Sequence, residues 1–99
     1  MKNIEEIKQK LKELTPYLKE QYGVLTIGIF GSYIRGEENK ESDLDILVEF
    51  KESKDLSLLD FINMENYLSD TLGIKVDLVT KDSLKPRIGK YILSEVIML

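Results

Sequence analysis

Apolar positions change period several times along this chain, and each change marks an element. Ile4, Ile7, Leu11 and Leu14 recur every three or four residues, the spacing of one helical face. Asn3, with Glu6 three residues later, resembles a capping box at the start of that helix. Thr15-Pro16 interrupts the face, because proline restricts the residue before it and suits a first helical turn. The pattern therefore predicts a break or kink, then a second helical stretch carrying Tyr17, Leu18 and Tyr22 and stopped by Gly23. Val24 to Phe30 is mostly apolar and reads as a buried strand. Ser32 to Arg35 predicts a short helix with Ser32 as its N-cap, and Gly36 to Ser42 a polar loop. A second strand is expected from Asp43 or Leu44 to Phe50, followed by a charged loop from Lys51 to Ser57. Leu58, Phe61, Ile62, Leu68 and Leu72 then have helical spacing, and Gly73 sits where a C-cap belongs. Ile74 to Thr80 reads as a third strand. Ser83 starts a turn, and Pro86 begins a final helix whose buried face would hold Ile88, Tyr91, Ile92 and Val96.

That order, ααβαβαβα without repeats or a linker, predicts a single domain over residues 1–99 of the α+β (mixed α/β) class. Ninety-nine residues allow one core and leave no room for a second lobe to hold another substrate. No apolar run approaches the roughly 20 residues that span a bilayer, and the first ten residues lack a signal-peptide core. The expectation is a soluble, cytoplasmic protein that does not contact a membrane.

Composition narrows the chemistry. There is no cysteine and no histidine, so a thiolate zinc site is excluded and the commonest general base is missing. Any metal must be held by oxygen, which favours magnesium or manganese. The net charge of −4 argues against a stable grip on a nucleic-acid polymer, but not against one nucleotide carrying a divalent cation. Twelve of the fourteen basic residues are lysines interleaved with glutamates, the pattern of a solvated surface.

One segment carries a different message. Gly31-Ser32, ten residues, then Asp43-Leu44-Asp45 places a turn suited to phosphate close to two carboxylates. In an extended strand Asp43 and Asp45 point to the same face. Two such carboxylates repel, and a divalent cation between them removes the penalty; two metals roughly 3.5–4 Å apart can share such a pair. Asp77 is the lone charge in Val76-Asp77-Leu78-Val79 and is the natural third carboxylate from a neighbouring strand. Its bland alternative is a surface-facing position at a sheet edge. Gly31-Ser32 lies at a strand-to-helix junction, where free backbone N–H groups favour an anion and the Ser32 hydroxyl can donate to it. Taken alone, the same dipeptide is an ordinary turn and cap. Arg35 is within reach of a triphosphate or else belongs to a surface ion pair. Ser42 caps the loop or contacts phosphate, with capping the favoured role. Tyr33 lines a nucleotide pocket or covers the core.

As it stands, GSYIRGEENKESDLDILV resembles the GSxxRG…SDxDxxV string of the minimal nucleotidyltransferases, in the DNA polymerase β-like superfamily. The resemblance extends over nearly the whole chain, from Tyr22-Gly23 through VDLVT to the Leu84-Lys85-Pro86 turn. It implies a small mixed sheet flanked by helices. Gly31 and Ser32 would hold the phosphates of ATP, with Arg35 and Ser42 beside them. Asp43 and Asp45 would bind two Mg²⁺ (Mn²⁺ is compatible), and Asp77 would complete the catalytic set and help deprotonate the attacking hydroxyl. Tyr33-Ile34 replaces the small pair often found before the arginine. Members of this size resemble the antitoxin half of toxin–antitoxin pairs, acting on a HEPN-type RNase toxin by transferring AMP to a tyrosine hydroxyl. A hetero-oligomer with that toxin is the implied assembly. The apolar Val96-Ile97-Met98-Leu99 run, read as the end of the last helix, is either a docking surface or a tail packed on its own core. Two other readings stand beside this one: an antitoxin that neutralises by docking alone, and a nucleotidyltransferase acting on a small molecule or RNA end.

Overall fold

The computed structural model describes residues 3–39, 42–51, 57–83 and 86–99, the side chains of 86–88 excepted. Helix α1 (Ile4–Tyr22) leads to strand β1 (Val24–Phe30), the single turn α2 (Ser32–Arg35) and strand β2 (Leu44–Phe50). Helix α3 (Leu58–Leu72), strand β3 (Val76–Thr80), a 3-10 turn (Lys81–Ser83), helix α4 (Pro86–Glu95) and strand β4 (Ile97–Met98) complete the order. The expected loops over 36–42 and 51–57, the Leu84-Lys85 turn and the side chain of Ile88 lie wholly or partly outside the described residues.

The strands form one mixed sheet in the order β3-β2-β1-β4. Strands β1 and β2 pair antiparallel, β2 and β3 run parallel with α3 as the crossover, and β4 pairs antiparallel with the far edge of β1. Side chains alternate between faces along each strand. Ile27 and Ile29, Leu44, Ile46 and Val48, and Val76 and Leu78 share one face with Ile7, Leu11 and Leu18 of α1 and Met64, Leu68 and Leu72 of α3. Burying each of these large side chains is worth roughly 1.5–3 kcal/mol, so this two-layer core carries the fold.

Several expectations give way to that core. Pro16 lies inside one continuous helix, with no break. The buried stripe of Ile7, Leu11 and Leu18 runs straight past it, proline faces solvent, and the Thr15 hydroxyl donates to the Leu11 carbonyl at 2.8 Å in the same turn. Tertiary burial outweighs the roughly 3 kcal/mol that an interior proline costs. In α3 the buried stripe is Met64, Leu68 and Leu72, with Phe61 partly covered, whereas Leu58 and Ile62 face outward. Its start is well fixed: Ser57 and Asp60 form a reciprocal capping box. Strand β3 begins at Val76, two residues later than expected.

The last helix ends at Glu95, and the apolar run beyond it is not helical. Ile97 and Met98 form β4, Met98 opposite Gly28 and Ile97 opposite Ile29, and the Leu99 N–H donates to the Ile27 carbonyl. Tyr91, expected to be buried, is exposed, whereas Ile92 is half-buried and the chain beyond α4 approaches the second face of the sheet at Val96 and Met98. Gly28 makes that approach possible. A Cβ there would stand 2.8 Å from both Met98 Sδ and Val96 Cγ2.

Candidate active site

The face of the sheet opposite the main core is laid out in rows by strand register. Phe30, Asp45 and Asp77 stand side by side across β1, β2 and β3. The next row is Met98, Gly28, Leu47 and Val79, and beyond it Thr26 lies beside Glu49. Rows are about 6.7 Å apart, two residues of extended chain. The first row is acidic because it lies where β1 and β2 meet the loop segments between them.

Asp45 and Asp77 are therefore direct cross-strand neighbours, and Asp43 enters from the residue just before β2. Asp45 feels all of this. Its carboxyl is pushed up to about 6, first by burial, then by Asp77 and Asp43, with Arg35 opposing the shift and Glu95 adding to it. Asp77 is exposed and β3 is an edge strand, so the surface-edge reading of its position is correct and coexists with its place beside Asp45. Among the described residues no three acidic side chains converge as a closed metal-ligand set. The donor chemistry nonetheless fits a hard divalent cation: Asp43, Asp45 and Asp77 offer only oxygen, and the cost of charging Asp45 is what such a cation would offset.

Gly31 packs directly against this row. Its backbone adopts φ +84°, ψ −154°, accessible in practice to glycine alone, and a Cβ would run into the Asp45 Oδ2 atom. The close approach that demands glycine is thus made by Asp45 itself. Gly31, rather than Ser32, occupies the N-cap position of α2, without a side-chain cap; its carbonyl accepts from the N–H groups of Ile34 and Arg35. With only one turn, α2 has little macrodipole, so the expected anion chemistry rests on discrete donors. These are the Gly31 N–H, the Ser32 hydroxyl and the Arg35 guanidinium.

Arg35 reaches two glutamates, Glu37 through Nε at 3.3 Å and Glu95 through Nη1 at 3.1 Å. Ser42 takes the capping role: the Asn39 N–H donates to its Oγ at 2.9 Å, one residue before Asp43. Tyr33 is buried in the main core, and burial, then Glu38 and Asp43, push its hydroxyl upward. The residue that sequence reasoning missed is Glu95. The Gly31 N–H donates to its Oε1 at 2.9 Å, and Arg35 Nη1 bonds both of its oxygens. No local pattern could have signalled it, since Glu95 lies 64 residues from Gly31. A second feature, also unforeseen, is a cavity of about 260 Å³ behind the carboxylate row, lined by Thr26, Leu47, Glu49 and Met98 of the sheet, Lys81 of the 3-10 turn and Leu93 of α4.

The family described as nucleotidyltransferase domain matches residues 4–99. The protein adenylyltransferase MntA of Thermococcus cleftensis is 50% identical to this chain, over 98% of the chain and 96% of its own length. A solved structure described as a minimal nucleotidyltransferase matches with a TM-score of 0.81 at 35% identity, covering 99% of this chain and 97% of that one. A tri-AMPylated Shewanella oneidensis HEPN toxin in complex with its MNT antitoxin matches at a TM-score of 0.67, over 93% of this chain and 70% of that one. At 19% identity, that last likeness is one of fold.

Proposed function

This chain belongs to the nucleotidyltransferase family, and on that premise we propose that it transfers AMP from ATP to a tyrosine hydroxyl of a HEPN-type toxin, acting as the antitoxin of that pair. One observation carries the reading: the Asp45–Asp77 pair stands in register on adjacent strands, with the Gly31 backbone packed against Asp45. Phosphate donors and carboxylates thus share one corner of the sheet.

In this reading the Gly31 N–H, the Ser32 hydroxyl and Arg35 hold the phosphates, and Ser42 supports them by fixing the loop before Asp43. Asp43, Asp45 and Asp77 would hold Mg²⁺, which when bound neutralises the phosphates and the carboxylates together. The acceptor oxygen attacks the α-phosphorus, the bond to the β-phosphate oxygen breaks, and pyrophosphate leaves. Asp77, exposed at the sheet edge, accepts the hydroxyl proton. The acidic net charge suits an acceptor presented by another protein better than a nucleic-acid polymer.

Labelled ATP and Mg²⁺, incubated with this protein and a HEPN-type partner, should label the partner on tyrosine, and Asp43→Ala or Asp45→Ala should abolish the label. If both variants still neutralise the toxin fully, docking alone is the mechanism. Labelling of an RNA end or a small hydroxyl compound in place of the toxin would reassign the acceptor.

A further inference from the structure

Glu95 bonds the very groups assigned above to phosphate. Its Oε1 accepts from the Gly31 N–H at 2.9 Å and from Arg35 Nη1 at 3.1 Å, and Oε2 lies 3.3 Å from the same nitrogen. The side chain is only 16% exposed, against 37% for Arg35, so it sits inside the corner and not on the rim. The contact follows from where α4 ends. Antiparallel pairing sets Gly28 opposite Met98 and Ile29 opposite Ile97, and Glu95, the last residue of α4, lies two residues before that pairing, beside the end of β1 where Gly31 stands.

A structural ion pair alone accounts poorly for this placement. Glu95 and Asp45 both stand against Gly31, so the arrangement brings like charges together. Arg35 already has an acidic partner in Glu37. A carboxylate resembles a phosphate edge: it is planar, anionic and accepts charge-assisted bonds from a backbone N–H and a guanidinium.

We propose that Glu95 is an internal stand-in for a nucleotide phosphate, seated on Gly31 and Arg35 until a triphosphate displaces it. The inference rests on the nucleotide reading given above and adds to it a competitor built into the chain. Displacement moves Glu95 away from Gly31 and Arg35, and with it the hold on the last turn of α4 and on β4, which is tied to β1 by two residue pairs and the Leu99–Ile27 bond. Nucleotide arrival and loosening of the C-terminal segment are then one event.

The test is calorimetric binding of ATP with Mg²⁺ to the full chain, to Glu95→Gln and to Glu95→Ala. A seat filled by Glu95 about nine-tenths of the time weakens apparent binding roughly tenfold, so Glu95→Ala should bind ATP about tenfold tighter than the parent. Glu95→Gln should fall between them, because it keeps one neutral bond to Gly31. Unchanged or weaker binding in the variants, with the parent still binding ATP, overturns the competitor and leaves the nucleotide reading intact. ATP binding to none of the three overturns both. If the variants do not fold, hydrogen exchange on the unmodified chain decides: ATP should lower protection across residues 93–99, and unchanged or increased protection refutes the proposal.

Discussion

Replacing Asp45 with asparagine should make the metal-free protein more stable while destroying its activity. The Asp45 carboxyl is pushed from its ordinary 3.8 to about 6, by burial first and then by Asp77 and Asp43. The native state therefore holds this proton more tightly than the unfolded chain does. The sign follows: no penalty exists below the unfolded value, the penalty grows as pH rises between the two values, and it is complete above about 6. At about 1.36 kcal/mol per pH unit the full cost is roughly 3 kcal/mol. Asp45 is only partly buried, and solvent screening reduces this to roughly 1–1.5 kcal/mol. For a domain of this size each kcal/mol moves the melting point by about 4–8 °C, so Asp45→Asn should melt about 5–10 °C above the parent near neutral pH in a chelator. Circular-dichroism melts from about pH 4 to 8 test this, because the gap should shrink as Asp45 becomes protonated. Added Mg²⁺ should raise the melting point of the parent more than that of the variant, since only the parent keeps the full carboxylate set. A variant that melts at or below the parent at neutral pH without metal, or a gap that ignores pH, would refute the electrostatic account of the acidic row.

Gly31→Ala forces a side chain into the Asp45 carboxylate at a φ of +84°, and should cost about 2–3 kcal/mol in denaturant melts and abolish ATP binding. Wild-type affinity in that variant would show that the cradle is not at Gly31. Gly28→Ala places a methyl 2.8 Å from Met98 and Val96, and should detach β4 at a cost of about 1–3 kcal/mol, seen as faster exchange of the Leu99 amide; unchanged exchange would mean that the C-terminal segment does not need Gly28. Pro16→Ala should stabilise the fold by about 2 kcal/mol, the roughly 3 of helix propensity less about 1 of lost rigidity in the unfolded chain. A melting point that does not rise would show that α1 depends on its proline.

Period-two and period-three patterns made much of this fold legible, and the limits of those patterns explain the rest. The first strand was readable residue for residue because Val24 to Phe30 is a mostly apolar run closed by glycines on both sides. Asp77 was readable for the opposite reason, as a single charge out of place in an apolar strand. Proline misled because its cost is local, whereas the stripe that keeps α1 continuous is paid back across the whole sheet face. Strand β4 has no period to detect: two residues become a strand only because β1 offers them an unpaired edge. Glu95 was hidden by that same dependence, since its neighbourhood is written in the register between β1 and β4 and not in its own surroundings. The consequence reaches the chemistry. Gly31 and Glu95 meet beside the edge pairing of Gly28–Met98 and Ile29–Ile97, with Leu99 bonded to Ile27, so the shortest strand of the sheet adjoins its most charged corner.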